Sequence, residues 1–220
     1  MYGRLLLKGI RNELDIGSMS TITDFLKQHG VEQLVEGHCQ QVEQQVIDMT
    51  NIVTSLQKEK IRVLEIGFNG GHSAEMFLQI PGVSLVSFDI GMHRHVFLSK
   101  QYMDIVYPNR HTLILGNSIH TIPTYAQDHP AATFDIIFID GNHEYDVVKV
   151  DLENCRQFAH SDTIVILDDT IHHTAAFEAP WNIGPTRAWK ECIENHKIVE
   201  IATKDYEGGK GISWGKYIVA

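Results

Sequence analysis

From Ile61 onward the chain alternates two patterns, and this alternation limits its fold more than any other feature. "IRVLEIG", "VSLVSFDI", "HTLILGN", "FDIIFIDG" and "TIVILDD" are brief Val/Ile/Leu/Phe runs that close on a glycine or an acidic residue. Between them lie helix-period stretches such as "SAEMFLQ", "VFLSKQYMDIV" and "EYDVVKVDLENCRQFA". Runs this apolar fit strands buried on both faces, and strands that alternate with helices require right-handed crossovers and a parallel sheet. The closing "HKIVEIATKDYEGGKGISWGKYIVA" reads as two strands around a glycine-rich turn, an antiparallel pair at the edge. The expected fold class is therefore α/β, a doubly wound, mostly parallel seven-stranded sheet with an antiparallel edge hairpin. In such sheets ligands bind beyond the carboxyl ends of the strands, where this sequence puts its acids.

The segment before the alternation differs in character. To about residue 58 it is polar and helical, which divides the chain into an N-terminal cap, 1–58, and a main domain, 59–220. "STITDFLKQHG" predicts a helix with Ser20 or Thr21 near its N-cap and Gly30 as its stop; "VEQLVEGHCQQVEQQVIDMTNIVTSLQKEK" predicts a longer helical stretch ending in lysines. Such a cap packs on the sheet or a second subunit, or covers a pocket. Its apolar positions point to a homo-oligomer without specifying one.

At 220 residues and 43% hydrophobic content the chain can bury the core of one α/β domain with a small appendage. Its 18 basic against 28 acidic residues, a formal charge of −10, argue against unaided binding to nucleic acid or an anionic membrane. Small molecules are the expected partners. Cys39, Cys155 and Cys192 are odd in number and lack metal-like spacing, so a reducing compartment fits best. "MYGRLLLKGIRNELD" has an apolar run too short for a signal-peptide core or a membrane span, so a soluble, cytoplasmic protein is expected.

Chemistry concentrates at the strand ends. "VLEIGFNGGHS" runs strand, acid, glycine turn, helix start, and such a turn presents free N–H groups to a ligand. Gly67, Gly70 and Gly71 do not match the dinucleotide fingerprint, and Glu65 suits a cationic or hydroxylated ligand better than a pyrophosphate. Read alone, the turn fits an ordinary strand-to-helix connection equally well. Asp89 ends the second strand about 20 residues on, where an acid can take both hydroxyls of a ribose. Asn117 and Ser118 end the third strand with side chains able to meet an adenine edge, although Asn-Ser there is also plain turn or cap chemistry.

The order E-x-G-x-x-x-G-x-S, an acid at the second strand end, G-N-S, then F-D-x-x-F-I-D-G-x-H resembles the class I S-adenosylmethionine-dependent methyltransferases over about residues 60 to 220. "DIIFIDGNHEYDVVKVDLE" followed by "VILDDT" resembles their metal-dependent O-methyltransferase branch, above all the macrolide-sugar O-methyltransferases and cephalosporin hydroxylase-like proteins. The resemblance implies a Rossmann-like fold. It further implies S-adenosylmethionine held by Glu65, Gly67, Asn69, Gly71, Ser73, Asp89, Asn117, Ser118 and Asp140, and a divalent cation on Asp140, Asp168 and Asp169. His143 becomes the base, and the acceptor a hydroxyl of a small molecule or glycan, first a sugar and then a catechol. The acidic pair here is Asp-Asp, where Glu-Asp or Asp-Asn is also common in that branch.

The physical chemistry runs the same way. Oxygen ligands select a hard cation, Mg2+ first, with Mn2+ or Ca2+ as alternatives. Three clustered aspartates without one would repel, and at least one would keep its proton. A bound cation lowers a hydroxyl's pKa toward the range of a histidine, about 6.5 unperturbed. The plainer alternative makes Asp140 a helix cap and Asp168-Asp169 the start of an exposed loop. Around this set, His172, His173, Trp181 and Arg187 are candidate substrate-pocket residues, with Phe177 as a further stacking wall. His72 is placed near the methionine part of the cofactor, while Pro185 reads as a helix start and Trp189 as core. The competing functions are a hydroxylase of the same fold and a non-catalytic cofactor-binding or scaffold protein.

Overall fold

A computed structural model describes residues 21–35, 37–172 and 178–219. The N-terminal "MYGRLLLKGIRNELD", Ser20, His173 and Phe177 lie outside these. Seven strands, β1 Ile61–Ile66, β2 Val83–Asp89, β3 His111–Leu115, β4 Phe134–Ile139, β5 Ala159–Asp168, β6 Ile198–Asp205 and β7 Gly211–Tyr217, form one sheet in the order β3-β2-β1-β4-β5-β7-β6. The first five are mutually parallel, and β7 runs antiparallel to both β5 and β6. The seven-stranded, mostly parallel architecture read from the alternating runs is the one observed.

Side-chain alternation sorts the strand residues into two cores. Ile61, Val63, Ile136 and Phe138 point to one face, and Leu64, Ile66, Ile137 and Ile139 to the other. Burying both faces is why the central strands carry apolar residues at both alternating sets of positions. The first face is covered by α1 Ile22–Gln28, α2 Glu43–Thr54, α3 His72–Gln79 and α4 Arg94–Val106; the second by α5 Ser118–Asp128, α6 Tyr145–Cys155 and α7 Pro180–Glu194. Ile22, Phe25, Leu26, Met49 and Val53 belong to the same core as β1 and β4, so the N-terminal helices pack on the sheet itself. Buried Glu75 on α3 reinforces this, accepting from the Ile22 N–H at 2.8 Å and the Tyr102 hydroxyl at 2.7 Å.

Thr21 caps α1, its Oγ1 accepting from the Asp24 N–H at 3.2 Å, and the chain leaves the helix through Gly30, as expected. The longer helical stretch predicted over 31–60 is not formed. Two short 3-10 turns, Glu32–Leu34 and Cys39–Gln41, precede α2, and α2 ends at Thr54, before the lysines. Gly37 between the turns has φ +39, outside the right-handed region a continuous helix needs. Pro185 is likewise not a helix start: α7 begins at Pro180, whose missing N–H is one of the helix's unpaired donors, and Pro185 sits in its interior. Trp189 is core, with its indole N–H donating to Glu200 Oε2 at 2.6 Å.

Sheet order places the site. Strand β1 leads outward to β2 and β3, and the chain then returns to lay β4 on the other side of β1, which opens a crevice above their carboxyl ends. Ile66 is level with Phe88 and Ile139, and Ile139 with Leu167. The residues next after these therefore converge at the strand ends: Gly67, Asp89, Asp140 and Asp168.

Candidate active site

A cleft of about 790 Å3 lies over those ends. Its floor is the turn after β1. Gly67 has φ +93, and a Cβ there would lie 1.8 Å from the Asp140 carbonyl oxygen, so only glycine lets the β1 and β4 turns meet. Each turn is tied to its neighbour, Gly67 N–H donating to the Phe88 carbonyl at 2.8 Å and Asp140 N–H to the Ile66 carbonyl at 2.8 Å.

Beneath the turn, Glu65 is fully buried and accepts hydrogen bonds from Ser73 Oγ and Ser87 Oγ, both at 2.5 Å. Burial pushes its carboxyl up to about 8 against the opposing pull of the two hydroxyls. Glu65 is not among the residues lining the cleft, whereas Ser73, which it holds, is. Gly71 also stays out of the lining; with φ +78 it starts α3 as its N-cap. Asn69 does line the cleft, with its N–H donating to Asp89 Oδ2 at 2.8 Å and its Oδ1 2.6 Å from His95 Nε2. Asp89 takes a second backbone N–H, from Gly91, at 2.8 Å, and a carboxylate so engaged keeps lone pairs for further donors. Asn117 caps α5 through Oδ1, 3.0 Å from the Ile119 N–H, and lines the cleft beside Ser118. His72 is buried at the cleft wall, its ring stacked on His38 at 3.8 Å between centroids. Burial, then the neighbouring His38 and His95, hold its pKa down to about 3, so this ring is uncharged at neutral pH.

At the far end of the cleft three acids and a histidine converge. His143 Nε2 is 3.1 Å from Asp169 Oδ2 and 3.8 Å from Asp140 Oδ1, and ligand atoms of these three residues all lie within 4.8 Å of one another. Asp169 reaches this position through a left-handed backbone, φ +52, a conformation that Asp adopts more readily than most residues. Asp168 lines the same end, but its Oδ1 is taken by Gln45 Nε2 at 2.6 Å. Burial, then the charges of Asp140 and Asp169, raise Asp168 well above the carboxylate range. Burial raises Asp140 as well. His143 moves the other way in charge terms: the carboxylates of Asp140 and Asp169 push it up to about 10. Crowded carboxylates repel one another, a conflict that a hard divalent cation relieves in competition with the His143 proton, and an oxygen donor set suits Mg2+ or Mn2+.

The remaining sequence-derived residues separate. Trp181, 43% exposed, walls the cleft beside this cluster. His172 and Arg187 line a neighbouring hollow of about 590 Å3 along α7, where Arg187 lies 3.9 Å over the Tyr145 ring. Two contributors have no sequence signature. Gln45 arrives from α2, 123 residues from Asp168. Gly184 on α7 faces the β4–α6 turn, and a Cβ there would lie 2.1 Å from the His143 carbonyl oxygen. Lys210, from the β6–β7 turn, is the one Lys or Arg among the described residues that line the cleft.

The crevice at the strand-order switch and the glycine turn beneath it define the class, a Rossmann-like methyltransferase fold. Residues 64–170, from β1 through the acidic pair, match the family model described as a methyltransferase domain. An O-methyltransferase from Bacillus cereus, solved in complex with SAH, is 16% identical over 96% of this chain and 97% of its own, with a TM-score of 0.67. Cofactor-bound Rv0187 from MTB is 16% identical over 96% and 95%, with a TM-score of 0.69. CalS11, a TDP-rhamnose 3'-O-methyltransferase in calicheamicin biosynthesis, is 15% identical over 93% and 90%, with a TM-score of 0.58. At such identities the likeness is one of fold. No curated protein matches the sequence.

Proposed function

We propose that the protein is a metal-dependent O-methyltransferase that moves the methyl group of S-adenosylmethionine to a hydroxyl of a small molecule or glycan, with a sugar as the first acceptor to test. The observation that carries this reading is the Asp140–His143–Asp169 cluster with Asp168, at the end of a cleft floored by the glycine turn. When bound, S-adenosylmethionine supplies an electrophilic methyl on a sulfonium, and a divalent cation on Asp140, Asp168 and Asp169 acidifies the acceptor hydroxyl.

The chain's own residues then have distinct tasks. Gly67 and Asn69, their N–H groups already donated to Phe88 and Asp89, shape the cofactor's part of the cleft, Asp89 accepts from its ribose, and Asn117 keeps its amide N–H2 for the adenine edge. Glu65 acts through Ser73. Trp181 shields the acceptor from water. His143 takes the hydroxyl proton at Nε2; beside uncompensated carboxylates it keeps a proton of its own, so this task requires their charge to be engaged elsewhere. Holding both reactants in one cleft supplies much of the rate.

A second assignment of the same site is favoured by the 4.8 Å grouping, in which His143 is itself a cation ligand in place of Asp168. Titration calorimetry tests the reading as a whole. The protein should bind S-adenosylmethionine, and absence of that binding overturns the proposal. A hydroxylase of the same fold is separated by product mass, one oxygen heavier instead of one CH2 heavier.

A further inference from the structure

Gln45 sits on α2, far in sequence from any strand end, yet it is 1% exposed and donates from Nε2 to Asp168 Oδ1 at 2.6 Å. Its own Oε1 is buried without a hydrogen-bond partner. An amide with one half unpaired in the interior is costly, and it persists where the other half is needed.

Helix α2 is fixed at a second point. Asp48, on the next turn, accepts from Lys204 Nζ at 2.6 Å and from the Tyr206 hydroxyl at 2.9 Å. Lys204 and Asp168 are both register partners of Ile212, one from each side of β7. The helix is thus pinned to both ends of one cross-strand row, with Gln45 on Asp168 and Asp48 on Lys204. Gln45 therefore meets Asp168 from a rigid support.

We propose that Gln45 is a positioning residue for the acidic cluster: its amide occupies Oδ1 of Asp168, fixes the carboxylate's orientation, and leaves Oδ2 for the cation. The inference rests on the reading that this cluster binds a divalent cation. Partners that orient ligating carboxylates commonly set metal affinity, with losses of about 10–100-fold when they are removed. The N-terminal segment is then part of the site.

The test is calorimetric titration of the full chain with Mn2+ and, separately, with S-adenosylmethionine, for the wild type, Gln45→Met and Gln45→Asn. Methionine keeps the side-chain volume without the amide; asparagine keeps the amide one methylene short of Asp168. Both variants should bind Mn2+ about 10–100-fold more weakly than wild type with S-adenosylmethionine affinity unchanged. If Gln45→Met loses cofactor binding as well, its fold has failed and Gln45→Asn decides. Wild-type Mn2+ affinity in a folded variant overturns the role of Gln45 and leaves the cation reading standing. No Mn2+ binding by the wild type overturns the cation reading and this inference with it.

Discussion

His143 stands where three constraints meet: β4 ends one residue before Asp140, Gly67 lets the neighbouring turn approach, and Gly184 lets α7 press on the His143 carbonyl. Adding a methyl group at Gly184 has to move either the helix or the histidine. Gly184→Ala should therefore lower kcat about 100-fold, the cost of a misplacement near 1 Å, while cofactor affinity by calorimetry stays close to wild type. His143→Ala separates its two assignments. As a base, it should cost about 100- to 10,000-fold in kcat with Mn2+ affinity intact, whereas a loss of Mn2+ affinity makes it a ligand. Asp151 on α6 offers a pH test away from the cluster. It is 1% exposed, and burial raises its pKa to about 6 against the opposing pull of the Ser118 hydroxyl. A raised acid destabilises the fold once it ionises there: the cost is absent below the ordinary carboxylate range, grows as pH rises, and is complete above about 6. It amounts to about 3 kcal/mol, at about 1.4 kcal/mol per tenfold. Thermal melts of Asp151→Asn should exceed wild type by several degrees at pH 8 and coincide with it near pH 4.

At the scale of elements, what could be read from the sequence was whatever is encoded locally. Strands β1 to β5 are rich in Val, Ile, Leu and Phe, and their closing acids, Asp89, Asp140 and Asp168, fall at the crevice because parallel strands of similar register end level. The two turns Glu32–Leu34 and Cys39–Gln41 were not legible, since the Val, Glu and Gln content around them is compatible with helix while the backbone leaves the helical region at Val35, Gly37, His38 and Val42. Gln45 was not legible at all, because its role depends on a contact across 123 residues that no spacing rule encodes. Glu65 shows the intermediate case: its position at the strand end could be read, but its enclosure by Ser73 and Ser87 depends on the packing of β2 and α3. Helix α2 yields a stability prediction of its own. Asp48→Ala removes the acceptor for Lys204 and Tyr206 and should cost about 2–3 kcal/mol, lowering the melting temperature by several degrees.

For the whole molecule, one sheet with helices on both faces serves to bring five separated sequence positions to one cleft: the β1 turn, Asp89, Asn117, the Asp140–His143 turn and the Asp168–Asp169 pair. No helix among the described residues is long and apolar enough to cross a membrane. The N-terminal helices share the sheet's core and reach the acidic cluster through Gln45, so the structure ties cap and site together. The most direct measurement is the mass of the product formed when a panel of sugars is incubated with the protein, S-adenosylmethionine and Mg2+, in parallel with the same reactions in excess chelator. The expected result is a sugar product one CH2 heavier that forms with the cation and is lost in chelator. Equal product in chelator would contradict the metal's role, and no methylated product from any hydroxylated acceptor would contradict O-methyl transfer itself.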